Sequence, residues 1–313
     1  MSGMGSRVVL GRSGLEVSPI CFGTWQLAER FWGNVESADV SAAIRKAYDA
    51  GVNFFDTAGA YGEGRAESVL GEALTGLPRD SIVIATKVFH HFYPDGRRHG
   101  DLSAGYVASC CDEALARLRT DYIDLYQLHS FDPYTPLEET TAALDKLRQA
   151  GKIRCYGMSN FTVEQIRLAR RYGDYATCQP YYNLLDTRIE ADLLPYCAAE
   201  NIGVLVYSSL ALGMLTGKFD GSETFHDLRA HSPRFSGERF KKLAAKVRGL
   251  GPLADKYGLT ITQLCLAATL AHSAIHCTIV GIKSDQQIIE AAGAMGKTID
   301  REDYFAIRDK LRD

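Results

Sequence analysis

The chain has 313 residues, 46% of them hydrophobic and 23% charged, with a formal net charge of -3. These proportions belong to an ordinary globular protein, and the small net charge supplies no basic field to attract nucleic acid or an anionic membrane surface. No apolar run is long enough to span a bilayer, and the start MSGMGSRVVL lacks an apolar core followed by a cleavage site, so a cytoplasmic protein is expected.

In chain order, VVLGRSGLEV reads as a hairpin turning at Gly11–Gly14, ahead of a first strand, ICFG. Short apolar runs then alternate with helical patterns to the C-terminus. VNFF (52–55) precedes AESVLGEAL, SIVIATK (81–87) precedes YVASCCDEALARLR, and YIDLYQLH (122–129) precedes LEETTAALDKLRQAG. IRCYGMS (153–159), ATCQ (176–179) and GVLVYS (203–208) follow, the last with a long loop and a helix over 237–258. CTIVG (277–281) and the helical SDQQIIEAAGAM close the series. Gly51, Gly151 and Gly173 end helices where a residue past the C-terminus turns left-handed.

Eight strands, mostly apolar on both faces and separated by amphipathic helices, predict a parallel sheet covered by helices. At about 35–40 residues per unit they fill 1–313 as one domain, a (β/α)8 barrel with the hairpin plugging its N-terminal face. A doubly wound sheet would place GxGxxG after the first strand, where GTWQLAERFWG stands instead. Eight cysteines without a CxxC pair read as reduced, mostly buried thiols. The eight histidines do not fall at ligand spacing with them, so no metal site is expected.

Active sites of such barrels sit at the C-terminal ends of the strands. Asp56 ends the second strand, Tyr61 lies in its loop, Lys87 ends the third and His129 the fourth. Neighbouring strands bring these four together. A Lys ammonium about 4 Å from a phenol favours phenolate by about 4 kcal/mol at an effective dielectric near 20, about three pKa units. Asp56 would hold Lys87 protonated, and a neutral His129 would orient a carbonyl oxygen. That set protonates an oxyanion as it forms, the step left over when hydride reaches a carbonyl carbon. A Schiff-base role for Lys87 is the competing chemistry; it needs a neutral amine, which Asp56 and Tyr61 oppose.

The motifs FFDTAGAYGEGRAESVLGEAL (54–74), IATK (84–87), TDYIDLYQLH (120–129), GKIRCYGMSNF (151–161) and LALGMLTGKF (210–219) resemble the aldo-keto reductase superfamily over nearly the whole chain. DLRAHSPRFSGERF (227–240) is similar to its bacterial NADPH-dependent branch, which includes inositol-utilisation-associated reductases. The resemblance implies a catalytic tetrad of Asp56, Tyr61, Lys87 and His129 and an NADP(H) bound extended at the barrel mouth. It places Gly23, Thr24 and Trp25 near the nicotinamide ribose, Ser159, Asn160 and Gln179 on the carboxamide, and Tyr207 against the nicotinamide ring. Ser208, Leu210, Gly213, Leu215 and Lys218 then line the pyrophosphate, and Gly281, Lys283, Ser284, Gln287 and Glu290 the adenosine end. Ala291 replaces the family's usual Asn, and Ser284 an Arg common in close relatives, so NADP(H) is favoured over NAD(H) by a narrower margin. The implied activity is reduction of an aldehyde or ketone, sugar-like or aromatic to judge by Trp25, Trp32, Phe131, Arg229, Arg234 and the loop residues 89–100. The similar potassium-channel β-subunits imply the alternative of a cofactor-sensing regulatory subunit with little turnover.

Overall fold

A computed structural model describes residues 7–93 and 95–312. Eight parallel strands close a barrel: β1 (Ile20–Gly23), β2 (Phe54–Asp56), β3 (Val83–Val88), β4 (Ile123–Leu128), β5 (Ile153–Ser159), β6 (Tyr175–Gln179), β7 (Gly203–Val206) and β8 (Cys277–Gly281). Each pairs with the next in sequence, and β8 pairs with β1, as the alternation predicts.

The strands are buried on both faces because the pleat sends alternate side chains inward and outward. Cys21, Phe54, Val83, Ala85, Leu125, Cys155, Leu205, Cys277 and Ile279 fill the barrel interior, and Leu10, Leu15 and Val17 of the N-terminal hairpin join the same cluster. Val8–Val9 pairs with Glu16–Val17, and the turn between them docks on the start of β7 through Gly11. Gly11 has φ +53°, and a Cβ there would stand 2.2 Å from the Gly203 nitrogen, so only glycine lets the plug seat. Outward side chains pack under the helix layer in a second, larger cluster.

The interior changes character along the barrel axis. Its lower layers are apolar; its top layer, at the C-terminal ends, is polar, with Asp56, Lys87, Gln127 and Gln179 all buried. Their registers are staggered: Gly23 pairs with Asp56 and Asp56 with Ala85, Lys87 with Gln127 and Gln127 with Gly157, and Ser159 with Gln179. The tilt of the strands about the barrel axis is what brings them into one layer.

Three segments depart from the sequence expectation. The second strand begins at Phe54 rather than Val52 and runs to Asp56, the residue expected at its end. The HHFYPDGRRHG loop contains an antiparallel hairpin, His90–Phe92 with Arg98–Gly100. Its signal was present as Asp95–Gly96, a turn dipeptide whose glycine adopts φ +82°. The long loop after β7 folds over its own apolar cluster, in which Phe219, Phe235 and Phe240 are buried and Phe225 packs against them. The helix expected over 237–258 is two, Gly237–Arg248 and Gly251–Lys256, interrupted before Pro252.

Candidate active site

A cavity of about 1010 Å³ opens at the C-terminal mouth of the barrel. Asp56, Tyr61 and His129 line its floor, and Lys87 lies directly behind them, 4% exposed. The Lys87 ammonium donates to Asp56 Oδ1 at 2.6 Å, to the Thr57 carbonyl at 2.8 Å and to the Tyr61 hydroxyl at 3.3 Å. Gln179 Nε2 donates to the other Asp56 oxygen at 2.9 Å. The carboxylate therefore has one oxygen on the ammonium and one on an amide, which satisfies a buried charge.

Tyr61 reaches this cluster because the chain after β2 coils tightly. Its N–H donates to the Ala58 carbonyl at 2.9 Å, and the helix Arg65–Leu74 begins four residues later. The intervening Gly62, Glu63 and Gly64 are all left-handed. A Cβ on Gly64 would come within 2.5 Å of Arg117 Nε, which closes over the turn. The glycines of GEG thus shape the turn that aims Tyr61 rather than a phosphate loop.

His129 stands one residue past β4, its N–H still bonded to the Val88 carbonyl at 2.9 Å. Its ring lies edge-on to Tyr61, with centroids 5.8 Å apart. Burial, with Lys87 and His90 nearby, pushes its pKa well below the ordinary value, so the imidazole is neutral at physiological pH. Burial alone would favour a neutral Lys87, yet Asp56 and Tyr61 outweigh it and hold the ammonium above its usual pKa. For Tyr61 the balance runs against the simple charge argument. Burial is the largest influence and Asp56 adds to it, so the phenol is raised in spite of the Lys87 cation. Tyr61 therefore holds its proton in the resting site rather than resting as phenolate.

Of the residues expected to hold a cofactor, Gly23, Trp25, Ser159, Asn160, Gln179, Tyr207, Ser208, Leu210, Gly213 and Lys218 line the cavity. So do Gly281, Lys283, Gln287 and Glu290. Thr24 is buried behind the wall, its hydroxyl 3.2 Å from the Asp56 carbonyl. Leu215 is buried in the cluster beneath the long loop, and Ser284 is the N-cap of helix Asp285–Ala292; neither is part of the lining. Asn160, left-handed at φ +60°, braces the site: its Nδ2 donates to the His129 carbonyl at 3.0 Å, and its Oδ1 accepts from the Tyr207 hydroxyl at 2.8 Å.

The surroundings fit a nicotinamide dinucleotide. Tyr207 offers an aromatic wall beside Tyr61, propped edge-on by Tyr181. Gly23 leaves no side chain in the strand-end cradle, where a Cβ would stand 2.8 Å from Ile279. Farther along, Lys218, Arg229 and Lys283 line the wall. Arg229 is paired with Asp227 at 2.5 Å, but among the described residues neither lysine has an ion-pair partner. Burial and the Arg229 charge lower both lysines, as expected of cations gathered without an anion.

Toward the entrance, Trp25, Phe31, Trp32, His90, Phe92 and Arg98 form the remaining wall. Phe131 packs instead on Phe161, and Arg234 lies 3.4 Å from the Tyr181 hydroxyl outside the lining. Two contributors escaped the sequence reading. Gln127 faces Gln179 in the top interior layer, and Thr57 accepts from Lys87 through its backbone carbonyl. Period-two spacing from Leu125 gives Gln127 away; the Thr57 carbonyl leaves no trace in side-chain identity.

A closed parallel barrel with an acid, a phenol, an ammonium and an imidazole at its mouth defines a hydride-transfer oxidoreductase scaffold. The chain belongs to the Aldo/keto reductase family, whose profile matches residues 19–312. It is similar to an NADH-specific methylglyoxal reductase of Escherichia coli, with 31% identity covering 97% of each chain. Among solved structures, a glycerol dehydrogenase of Gluconobacter oxydans superposes with a TM-score of 0.90 at 32% identity, covering 99% of this chain and 95% of that one. An aldo/keto reductase of Klebsiella pneumoniae in complex with NADP and acetate gives 0.76 at 30% identity, covering 97% and 95%. The protein is an enzyme of this class that works with a nicotinamide cofactor.

Proposed function

We propose that the enzyme reduces a small aldehyde or ketone, and reversibly oxidises the corresponding alcohol, with NADP(H) as its preferred cofactor and Tyr61 as general acid. The observation that carries this reading is the Tyr61 hydroxyl held 3.3 Å from the Lys87 ammonium on the cavity floor, beside a neutral His129. When bound, the reduced nicotinamide supplies hydride to the carbonyl carbon.

The chain's own residues do the rest. His129 donates a ring N–H to the carbonyl oxygen and fixes its position. As negative charge builds there, the Tyr61 proton moves to that oxygen. An alkoxide is a far stronger base than a phenolate, so a raised phenol pKa does not obstruct the transfer. The phenolate left behind is stabilised by Lys87, whose charge Asp56 preserves. Lys218 and Lys283, without an ion-pair partner among the described residues, support phosphate binding along the wall, and hence NADP(H) over NAD(H). The NADP complex of one relative agrees, whereas the NADH-specific relative is the counterexample that a direct comparison must address.

For substrate, the aromatic wall with His90 and Arg98 supports a polar, hydroxylated or aromatic carbonyl compound, in keeping with glycerol and methylglyoxal in the relatives' names. All eight cysteines are free, which supports a reducing compartment such as the cytoplasm. A panel of aldehydes, ketones and sugars assayed with NADPH and NADH tests the proposal. Sustained NADPH oxidation is expected. Absence of binding at millimolar NADPH overturns it, and a single burst without turnover favours a cofactor sensor.

A further inference from the structure

The hairpin beside the cavity has two faces. Strand alternation turns His90, Phe92 and Arg98 to the cavity, while His91 and His99 are absent from its lining. His91 and His99 are directly opposed across the two strands, with ring centroids 4.9 Å apart. Asp101 follows the second strand, and its Oδ2 stands 3.3 Å from His91 Nδ1.

We propose that His91, His99 and Asp101 bind a divalent transition-metal ion, best zinc, on this outer face. Each residue offers a ligand atom, and the three lie within 4.8 Å of one another. A tetrahedral zinc with bonds of about 2.0–2.1 Å needs its ligand atoms about 3.3 Å apart. The His91–Asp101 pair is already at that spacing. His99 is exposed and its ring now stacks within 25° of the His91 plane, so binding requires the His99 side chain to turn its nitrogen onto the ion.

The surroundings favour the same reading. The Tyr106 ring lies parallel to His91 at 4.6 Å and fixes the plane of the imidazole. Asp101 Oδ1 accepts the Ser103 N–H at 2.9 Å, which anchors the carboxylate and leaves Oδ2 toward the histidines. The nearby cations do not compete: Arg97 is paired with Asp95 at 2.7 Å, and Arg98 faces the cavity. Two imidazoles and one carboxylate suit zinc, cobalt, nickel or copper rather than magnesium or calcium, which prefer oxygen. The ion would tie both strands of the hairpin to the chain entering helix Ala104–Leu118, and so stiffen the wall that carries His90, Phe92 and Arg98. Cysteine-based ligand spacing does not reveal this set, because its members meet only across a hairpin.

Isothermal titration of the full chain, stripped with chelator and kept reduced, with zinc chloride tests the site. One equivalent is expected to bind. His99→Ala and Asp101→Asn should each weaken binding by at least about tenfold, the effect that losing even an outer partner of a metal ligand produces. Zinc should also slow tryptic cleavage after Arg97 and Arg98 in the native chain but not in His99→Ala. Failure to bind one equivalent, or unchanged affinity in His99→Ala, overturns the proposal. Because His99 is exposed, that variant keeps the test valid even where Asp101→Asn misfolds.

Discussion

Two buried carboxylates sit at opposite ends of the barrel, and their surroundings separate chemistry from support. Asp124, near the start of β4, accepts from Arg79 at 2.6 Å, from Arg154 at 3.0 Å and from the Ile84 N–H at 3.0 Å. Its cations reach in from the surface, and Arg79 stacks on Tyr122 at 3.8 Å. Asp56, at the end of β2, is paired with a lysine as buried as itself and stands on the floor of a cavity. The first cluster ties the turn before β3 to three strands, β3, β4 and β5. The second holds a positive charge beside the Tyr61 hydroxyl on the cavity floor, where the proposed mechanism brings a substrate oxygen. In the proposed mechanism, strand-end position, more than burial or pairing, distinguishes their tasks.

The sharpest break of this comparison is Tyr61→Phe. It should lower carbonyl reduction by about 10²- to 10⁴-fold while leaving NADPH binding and melting temperature unchanged. Steady-state kinetics with a fluorescence titration check it, and an active variant removes Tyr61 from the role of acid. Next is Lys87→Met, which strands the Asp56 charge and should cost about 3–5 kcal/mol in urea unfolding. Adding Asp56→Asn should restore most of that stability without restoring turnover; a double variant that regains activity would show the ion pair to be scaffolding only.

Asp124→Ala should cost about 1–3 kcal/mol through the unpaired Ile84 N–H and the lost charged hydrogen bonds, with activity per folded molecule preserved. A large kinetic defect there would erase the distinction between the two ends. The smallest effect concerns acid. The folded pKa of His129 is depressed, so below pH 6.5 the unfolded chain takes up a proton that the native chain refuses, and stability falls with pH. The slope contributed is up to about 1.4 kcal/mol per pH unit. His129→Gln should therefore lose less stability between pH 7.5 and 5.0 than the native chain; equal losses would show that His129 titrates normally.

Much of this was legible because it follows from local periodicity. Apolar runs between helical patterns gave the eight strands, and the residues at or next to their C-terminal ends gave Asp56, Lys87 and His129. The less legible parts depend on distant neighbours. His90–Phe92 and Arg98–Gly100 form strands although polar residues interrupt any apolar pattern, since each needs only its partner across the Asp95–Gly96 turn. The segment after β7 looked like loop because its phenylalanines follow no helical or strand period; they converge only when the chain folds back.

The amino-acid order by itself determined the barrel, its plug and which side chains stand at its mouth, because side-chain direction along a strand alternates whatever surrounds it. Only the tertiary structure decided how those groups are charged. Desolvation depends on every neighbour at once, and here it outweighs the single cation beside Tyr61, raising a phenol that pairwise attraction alone would have lowered.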